Sequence, residues 1–120
     1  MKKILIVDDE PSIVMSLEYL LRRKKFDVLI ARNGTEALNI LGKSTPDLIL
    51  LDIMMPDVDG YEICEFVKTS PELKHIKIIF LSAKSKKSDI EKGMQLGADA
   101  YMVKPFSTKD LLAKVNELVN

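Results

Sequence analysis

The stretch LILLDIMMPDVDG, residues 48–60, joins a run of four apolar residues to one acid, Asp52, and then to a proline and an Asp-Gly pair. A continuous apolar run of this length is typical of a strand covered on both faces, as in parallel sheets. Pro56 and the Asp-Gly pair indicate a turn directly afterwards. The stretch therefore predicts a buried strand that carries one carboxylate to the edge of a sheet.

Four more apolar runs extend this prediction along the chain. They are ILIV at 4–7, VLIA at 28–31, IIFL at 78–81 and the weaker AYMV at 100–103. Near-continuous apolar runs separated by helix-like segments are typical of a parallel sheet with crossover helices. Five strands alternating with five helices therefore predict an α/β, doubly wound (βα)5 fold, with helices on both faces of the sheet. We see no linker, so residues 1–120 are expected to form one domain.

The segments between the runs have the apolar spacing and the start signals of helices. Pro11 suits a first helical turn, and three capping residues each precede an acid by three positions: Asn33 with Glu36, Asp59 with Glu62, and Ser107 with Asp110. The segment 86–95 offers only Ile90 and Met94 as an apolar pair. We expect it to be the most lightly anchored of the five helices.

The composition narrows the class of protein. The chain has 120 residues, with 18 basic and 18 acidic residues and a single cysteine, Cys64. A domain of this size needs no disulfide, so Cys64 is predicted to be a small buried apolar residue in a reducing, cytoplasmic compartment. The balanced charge argues against direct nucleic-acid binding and against attachment to an anionic membrane surface. Neither a signal peptide nor a transmembrane segment is visible.

Polar residues stand where four of the predicted strands end. Asp8 and Asp9 follow the first strand, Asp52 the third, Ser82 the fourth and Lys104 the fifth. Parallel strands end at one edge of the sheet, so these side chains are predicted to converge. Three carboxylates at one place repel each other unless a cation joins them, and Mg²⁺ suits a site of a few oxygen ligands. Acid, metal, lysine and hydroxyl together favour phosphoryl transfer.

We interpret three other polar residues, Asp57, Asp59 and His75, as structural. Any single aspartate after a strand is more often a turn or cap residue, and only the joint placement favours a site. Asp57 and Asp59 are interpreted as parts of the turn that starts the next helix. His75, the only histidine, is interpreted as a loop residue. Without a second histidine or a neighbouring cysteine, no transition-metal site is predicted.

Four blocks of the sequence resemble the receiver (response-regulator) domain of bacterial two-component signalling. They are IVDDE at 6–10, LLDIMMPDVDG at 50–60, FLSAK at 80–84 and AYMVKPF at 100–106, in the family's order and across essentially the whole chain. The resemblance implies a flavodoxin-like sheet with strand order 2-1-3-4-5. It also implies a partner, a sensor histidine kinase or a phosphotransfer protein, whereas the downstream target is not identified by it.

The resemblance assigns roles to individual residues. Asp52 would accept the phosphoryl group from a phosphohistidine or a small phosphodonor. Mg²⁺, with Mn²⁺ or Ca²⁺ as substitutes, would be bound by Asp9, Asp52 and the backbone carbonyl of Met54, while Asp8 would act through a metal-bound water. Lys104 would pair with a phosphoryl oxygen and precede a cis peptide at Pro105.

The resemblance also implies a switch. Ser82 would hydrogen-bond the phosphoryl group, and Tyr101 would change rotamer and reshape the face made by the fourth helix, the fifth strand and the fifth helix. The protein would be a self-catalysed phosphoacceptor with intrinsic autodephosphorylation, and not a conventional enzyme. A monomer or a weak homodimer is expected.

Three other functions fit the sequence less well than a receiver domain does. An aspartyl-phosphate phosphatase would carry a second acid two residues after the nucleophile, where this chain has Met54. A flavin or nucleotide carrier would need a phosphate-binding first loop, and DDEPS at 8–12 would repel an anion. A receiver-like module that has lost phosphorylation would not be expected to keep Asp9, Asp52, Ser82 and Lys104.

Overall fold

Strands and helices alternate strictly along the chain, as the apolar runs predicted. The computed structural model describes residues 1–120. Its elements are β1 Lys3–Val7, α1 Pro11–Arg23, β2 Asp27–Ala31, α2 Gly34–Leu41, β3 Leu48–Leu51, α3 Gly60–Thr69, β4 Lys77–Ser82, α4 Lys87–Gln95, β5 Ala100–Val103 and α5 Thr108–Val119. None of the helices has the length and the hydropathy that crossing a membrane requires.

All five strands are parallel and lie in the order β2-β1-β3-β4-β5, which confirms the predicted fold class. The register aligns the carboxyl ends of the central strands: Val7 of β1 lies opposite Leu51 of β3, and Leu51 lies opposite Phe80 of β4. Residues that directly follow these strands therefore meet at one edge of the sheet.

The sheet separates two apolar layers. Along β3, which is buried throughout, Ile49 and Leu51 point into the layer under α2, α3 and α4, while Leu48 and Leu50 point into the layer under α1 and α5. Burial on both faces explains why the LILL run is continuous and does not alternate with polar residues. Cys64 is fully buried in the first layer, and burial raises the pKa of its thiol to about 11, so its prediction as an apolar residue is confirmed.

The predicted helix starts are confirmed at the level of atoms. The side chains of Asn33, Asp59 and Ser107 each accept a hydrogen bond from the backbone N–H three residues later, at 2.8, 3.0 and 3.2 Å. Helix α4 differs from the other helices because Gly93 is its only buried residue, and its N-cap residue, like that of α1, makes no side-chain capping bond. It is therefore a lightly anchored helix, as expected.

Candidate functional site

Three carboxylates meet at the carboxyl edge of the sheet. One oxygen each from Asp8, Asp9 and Asp52 can be chosen so that all three lie within 4.8 Å of one another. The backbone sets this arrangement, because the N–H of Asp52 donates to the carbonyl of Val7 at 2.9 Å and so extends the β1–β3 pairing by one residue. Asp8 and Asp52 are buried, with 2% and 6% exposure, while Asp9 is exposed to solvent.

Lys104 brings a single positive charge to this cluster. Its backbone N–H donates to the carbonyl of Ser82 at 2.8 Å, and its Nζ lies 2.8 Å from Asp8 and 3.8 Å from Asp52. The peptide that joins Lys104 to Pro105 is cis. Burial opposes the charge on the ammonium, but its hydrogen bond to Asp8 and the nearby carboxylates outweigh that effect and raise the pKa of Lys104. Lys104 is therefore a permanent cation within the acidic edge.

Ionisation of the Asp52 carboxyl group costs free energy in this buried, acidic setting. Burial and the neighbouring charge of Asp8 raise its pKa to about 6, against the opposing effects of Lys104 and of a 2.8 Å hydrogen bond from the N–H of Ile53. One lysine thus leaves the negative charge of the cluster incompletely balanced. An exposed acid beside two buried acids, all with oxygen donors, suits a hard divalent cation, and this cluster could hold one.

After Asp52 the chain folds back on itself, so that Gly60 lies against Asp52 and Ile53. The N–H of Gly60 donates to the carbonyl of Ile53 at 2.9 Å, closing residues 53–60 into a loop. A Cβ atom at position 60 would run into the carbonyl oxygen of Asp52, so only glycine fits there. Gly60 therefore fixes the loop against the acidic edge.

The two predicted switch residues meet at one residue of the β4–α4 loop. The backbone N–H of Lys84 donates to the hydroxyl oxygen of Ser82 at 3.1 Å, and the hydroxyl of Tyr101 donates to the carbonyl of Lys84 at 2.7 Å. Ser82 is fully buried, while Tyr101 is half-buried and packs on Phe80 with 5.8 Å between ring centroids. The side chains of Ser82 and Tyr101 therefore contact the backbone of the same residue, Ser82 at its N–H and Tyr101 at its carbonyl.

Gly93 lets α4 lie against these two rings. A Cβ atom at this position would come within 3.2 Å of both Phe80 and Tyr101. A second phenol, Tyr61 of α3, packs edge-on against Phe80 and donates to the carbonyl of Asp89 in α4 at 3.0 Å. Helix α4 is thus held by the hydroxyl of Tyr61 and by the close contact at Gly93, while the hydroxyl of Tyr101 holds the loop before it. The role of Tyr61 was not predicted from the sequence.

Asp57 has a structural role, but with a partner that the sequence did not reveal. Its carboxylate accepts hydrogen bonds from the N–H of Gly34 at 3.1 Å and from the N–H and hydroxyl of Thr35 at 2.8 and 2.6 Å. The bond from the Thr35 hydroxyl, with the backbone donors, holds the pKa of Asp57 well below the usual range of an aspartate. Asp57 therefore binds the start of α2, whereas the expected helix-start role belongs to Asp59 alone.

His75 lies outside the site. It is exposed in the loop before β4, at the opposite edge of the sheet from Asp52, in agreement with its interpretation as a loop residue.

An apolar hollow opens beside the acidic edge. It has a volume of about 460 Å³ and lies between α1 and the β5–α5 loop, with Ile13, Leu17 and Phe106 among its lining residues and Glu10 and Lys104 at its polar side. The hollow adjoins the acidic edge through Lys104, and Asp52 is not among its lining residues.

Comparisons with known proteins agree with this geometry. The family model described as "Response regulator receiver domain" matches residues 4–116. The alkaline phosphatase synthesis transcriptional regulatory protein PhoP of Bacillus subtilis (strain 168) is 44% identical over 118 residues, which are 98% of this chain and 48% of that protein. The chain thus spans about half the length of this curated relative.

Solved structures resemble the whole chain. Chemotaxis protein CheY4 of Vibrio cholerae superposes with a TM-score of 0.91 at 30% identity, covering 98% of each chain. A CheY-like response regulator receiver domain protein from Methanospirillum hungatei JF-1 superposes with a TM-score of 0.91 at 32% identity, covering 98% of this chain and 92% of the other.

Proposed function

Because the chain belongs to the response regulator receiver domain family, we propose that it accepts a phosphoryl group on Asp52 and uses it to reshape the surface of α4, β5 and α5. Receiver domains of this family interact with histidine kinases or phosphotransfer proteins. The observation that carries the proposal is the meeting of Asp8, Asp9 and Asp52 within 4.8 Å, beside the ammonium of Lys104.

The proposed reaction transfers a phosphoryl group from nitrogen to oxygen. A carboxylate oxygen of Asp52 attacks the phosphorus of a phosphohistidine, the P–N bond breaks as the P–O bond forms, and the leaving imidazole takes up a proton. The product is an acyl phosphate on Asp52. Lys104 pairs with a phosphoryl oxygen, and its 3.8 Å separation from Asp52 leaves it close enough to do so without rebuilding the site.

A divalent cation would balance the negative charge that Lys104 leaves on the three carboxylates. Mg²⁺, or Mn²⁺ or Ca²⁺ in its place, would be held by Asp9, Asp52 and the backbone carbonyl of Met54, with Asp8 contributing through water. When bound, it neutralises charge on the phosphoryl oxygens and on the carboxylates. Asp8 is suited to binding the metal through a water molecule because its carboxylate is already engaged by Lys104 at 2.8 Å and by the N–H of Glu10 at 2.9 Å.

The proposed switch runs through Lys84. A phosphoryl group on Asp52 offers acceptor oxygens to the Ser82 hydroxyl, and Ser82 gives up its present contact with the N–H of Lys84 as it turns. The carbonyl of Lys84 then shifts beneath the Tyr101 hydroxyl, which is free to change rotamer. Helix α4, the lightly anchored helix, moves with them, so phosphorylation biases an existing equilibrium.

Two other functions are less well supported. A phosphatase would need an acid at position 54, where this chain has an exposed methionine, Met54. We propose that the protein is not a conventional enzyme. A nucleotide carrier would need a first loop that favours anions, whereas Asp8, Asp9 and Glu10 follow β1.

Phosphoryl uptake tests the proposal. The protein is incubated with Mg²⁺ and a small acyl-phosphate donor, with and without EDTA, and its intact mass is measured. One phosphate adduct is expected with Mg²⁺ and none with EDTA, because Asp52 cannot approach an anionic donor without the cation. A parent protein that stays unmodified, or one modified equally in EDTA, contradicts the proposal.

A further inference from the structure

We propose that Asp57 is a positioning residue for the divalent cation, because it ties the loop that carries Met54 to the N-terminus of α2. The inference rests on the proposed function, in which the Met54 carbonyl is a metal ligand. Asp57 would not touch the metal or the phosphoryl group. It would keep the loop in the shape that places the Met54 backbone beside Asp9 and Asp52 before the cation arrives.

The donors that Asp57 binds are those that α2 leaves open. The first backbone N–H groups of a helix have no partner within it, and they attract negative charge. Asn33 satisfies the N–H of Glu36 at 2.8 Å. Asp57 takes the two remaining donors of the first turn, from Gly34 and Thr35, and also the Thr35 hydroxyl. The carboxylate of Asp57 therefore holds the loop to the start of α2 by charge-assisted hydrogen bonds.

Packing brings the same two segments together. A Cβ atom at Gly34 would lie only 2.6 Å from the Cβ and carbonyl oxygen of Val58, so the loop backbone passes directly against the start of α2. The close approach at Gly34 and the hydrogen bonds to Asp57 act at neighbouring residues of the loop. Together they fix residues 57–58 of the loop against the start of α2.

The base of the loop has a separate anchor. The N–H of Gly60 donates to the carbonyl of Ile53 at 2.9 Å, and this bond does not depend on Asp57. Met54 lies between this anchor and Asp57, and Pro56 removes one backbone freedom from the interval. Loss of the Asp57 carboxylate would therefore loosen Met54 while leaving the strand and helix ends in place.

A loosened loop should weaken cation binding. A backbone ligand that must be ordered when the metal binds adds an entropic cost to the association. Outer residues that orient metal ligands change metal affinity by about 10- to 100-fold when they are replaced. We expect Asp57→Ala to weaken Mg²⁺ binding by about 10-fold, at the lower end of that range, because the base of the loop stays anchored.

The test is the Mg²⁺ dissociation constant, measured by calorimetric titration of the full chain with no phosphodonor present. The variants are Asp57→Ala, Asp57→Asn and Thr35→Val. Asp57→Asn keeps one acceptor oxygen and should bind Mg²⁺ better than Asp57→Ala. Thr35→Val removes the 2.6 Å hydroxyl contact without changing any charge, and a weakening of about twofold is expected.

Asp59→Asn is the matched control. It removes the same charge from the same loop, while the amide oxygen of asparagine can still cap α3 at the N–H of Glu62. Its Mg²⁺ affinity should stay close to that of the parent. Lower backbone order at residues 54, 55, 57 and 58 in Asp57→Ala, but not in Asp59→Asn, is the second expected readout, measured by ¹⁵N relaxation.

The outcomes separate the inference from the proposed function. Equal Mg²⁺ affinities for Asp57→Ala and Asp59→Asn, with a parent that binds Mg²⁺, overturn the role of Asp57 and leave the proposed function standing. A parent that binds no Mg²⁺ overturns the proposed function and this inference with it. Weaker binding by both Asp57→Ala and Thr35→Val, with unchanged binding by Asp59→Asn, supports the inference.

Discussion

An Asp52→Asn variant is expected to take up no phosphoryl group and to be more stable than the parent when no divalent cation is present. The amide cannot act as the nucleophile, so the adduct expected on the parent should be absent. The amide also removes one buried charge that Asp8 repels. It keeps an oxygen that can accept the hydrogen bond from the N–H of Ile53. We expect the free energy of unfolding to rise by roughly 2 kcal/mol at neutral pH.

The gain in stability should depend on pH in one direction. The pKa of Asp52 is 3.8 without burial and about 6 in the folded protein, so its ionised form destabilises the fold fully above about pH 6. The penalty shrinks as pH falls and is gone below 3.8, where the residue is protonated in both states. Denaturant unfolding of parent and variant should therefore differ at pH 7.5 and converge near pH 4.

An exposed acid provides the control for this comparison. Asp27 of β2 is exposed, so Asp27→Asn removes the same charge away from the cluster and should leave stability nearly unchanged. An Asp52→Asn variant that is no more stable than the parent in EDTA would contradict the electrostatic description of the site. A phosphate adduct on Asp52→Asn equal to that on the parent would contradict its role as acceptor.

Replacement of Lys104 by methionine is expected to destabilise the metal-free protein by about 3 kcal/mol. Methionine keeps most of the apolar stem, but Asp8, which is only 2% exposed, loses the ammonium at 2.8 Å. A buried charge left without its partner is more costly than the net gain from the original pair. Added Mg²⁺ should restore part of the loss, because the cation supplies positive charge to the same carboxylates. Denaturant unfolding with and without Mg²⁺ measures both effects.

Lys114→Met is the matched control for stability. Lys114 forms an exposed ion pair with Glu117 at 3.2 Å within α5, and such a pair contributes little. Equal stabilities of Lys104→Met and Lys114→Met in EDTA would show that the charge of Lys104 is not needed to balance the acidic edge.

Lys104→Met should also separate phosphoryl uptake from switching. Asp52 remains in place, so the variant is expected to accept a phosphoryl group in Mg²⁺. The phosphoryl group then lacks the ammonium that draws it toward β5, and the surface of α4, β5 and α5 should respond weakly. Amide hydrogen exchange in α4, before and after phosphorylation, measures the response. A change in α4 as large as that of the parent would contradict this role for Lys104.

The features that the sequence predicted well depend on neighbouring residues. A continuous run such as LILL at 48–51 identifies a strand with two buried faces, and a cap such as Asn33 acts on an N–H three residues away. The alternation of such elements is enough to imply a parallel sheet, and hence the convergence of residues after the strands. The meeting of Asp8, Asp52 and Lys104 follows from that logic.

Features that depend on tertiary contact could not be predicted in the same way. Asp57 binds a helix start 22 and 23 residues earlier in the chain, and no local pattern distinguishes it from an ordinary turn residue. The hydroxyls of Ser82 and Tyr101 meet at the backbone of Lys84, whose side chain carries no sign of that role. The roles assigned to these residues in phosphorylation stay predictions until they are tested.

Locating the phosphoryl group tests the proposed function most directly. The protein is phosphorylated with a small acyl phosphate in Mg²⁺, the acyl phosphate is reduced with borohydride, and the modified residue is identified by peptide mass mapping. Reduction at Asp52 alone is the predicted result. Asp52 lies beside the other two acids and 3.8 Å from Lys104, whereas the carboxylate of Asp8 is already engaged by Lys104 at 2.8 Å and by the N–H of Glu10 at 2.9 Å. Modification of Asp8, Asp9 or Asp57 instead, or of no residue at all, would contradict it.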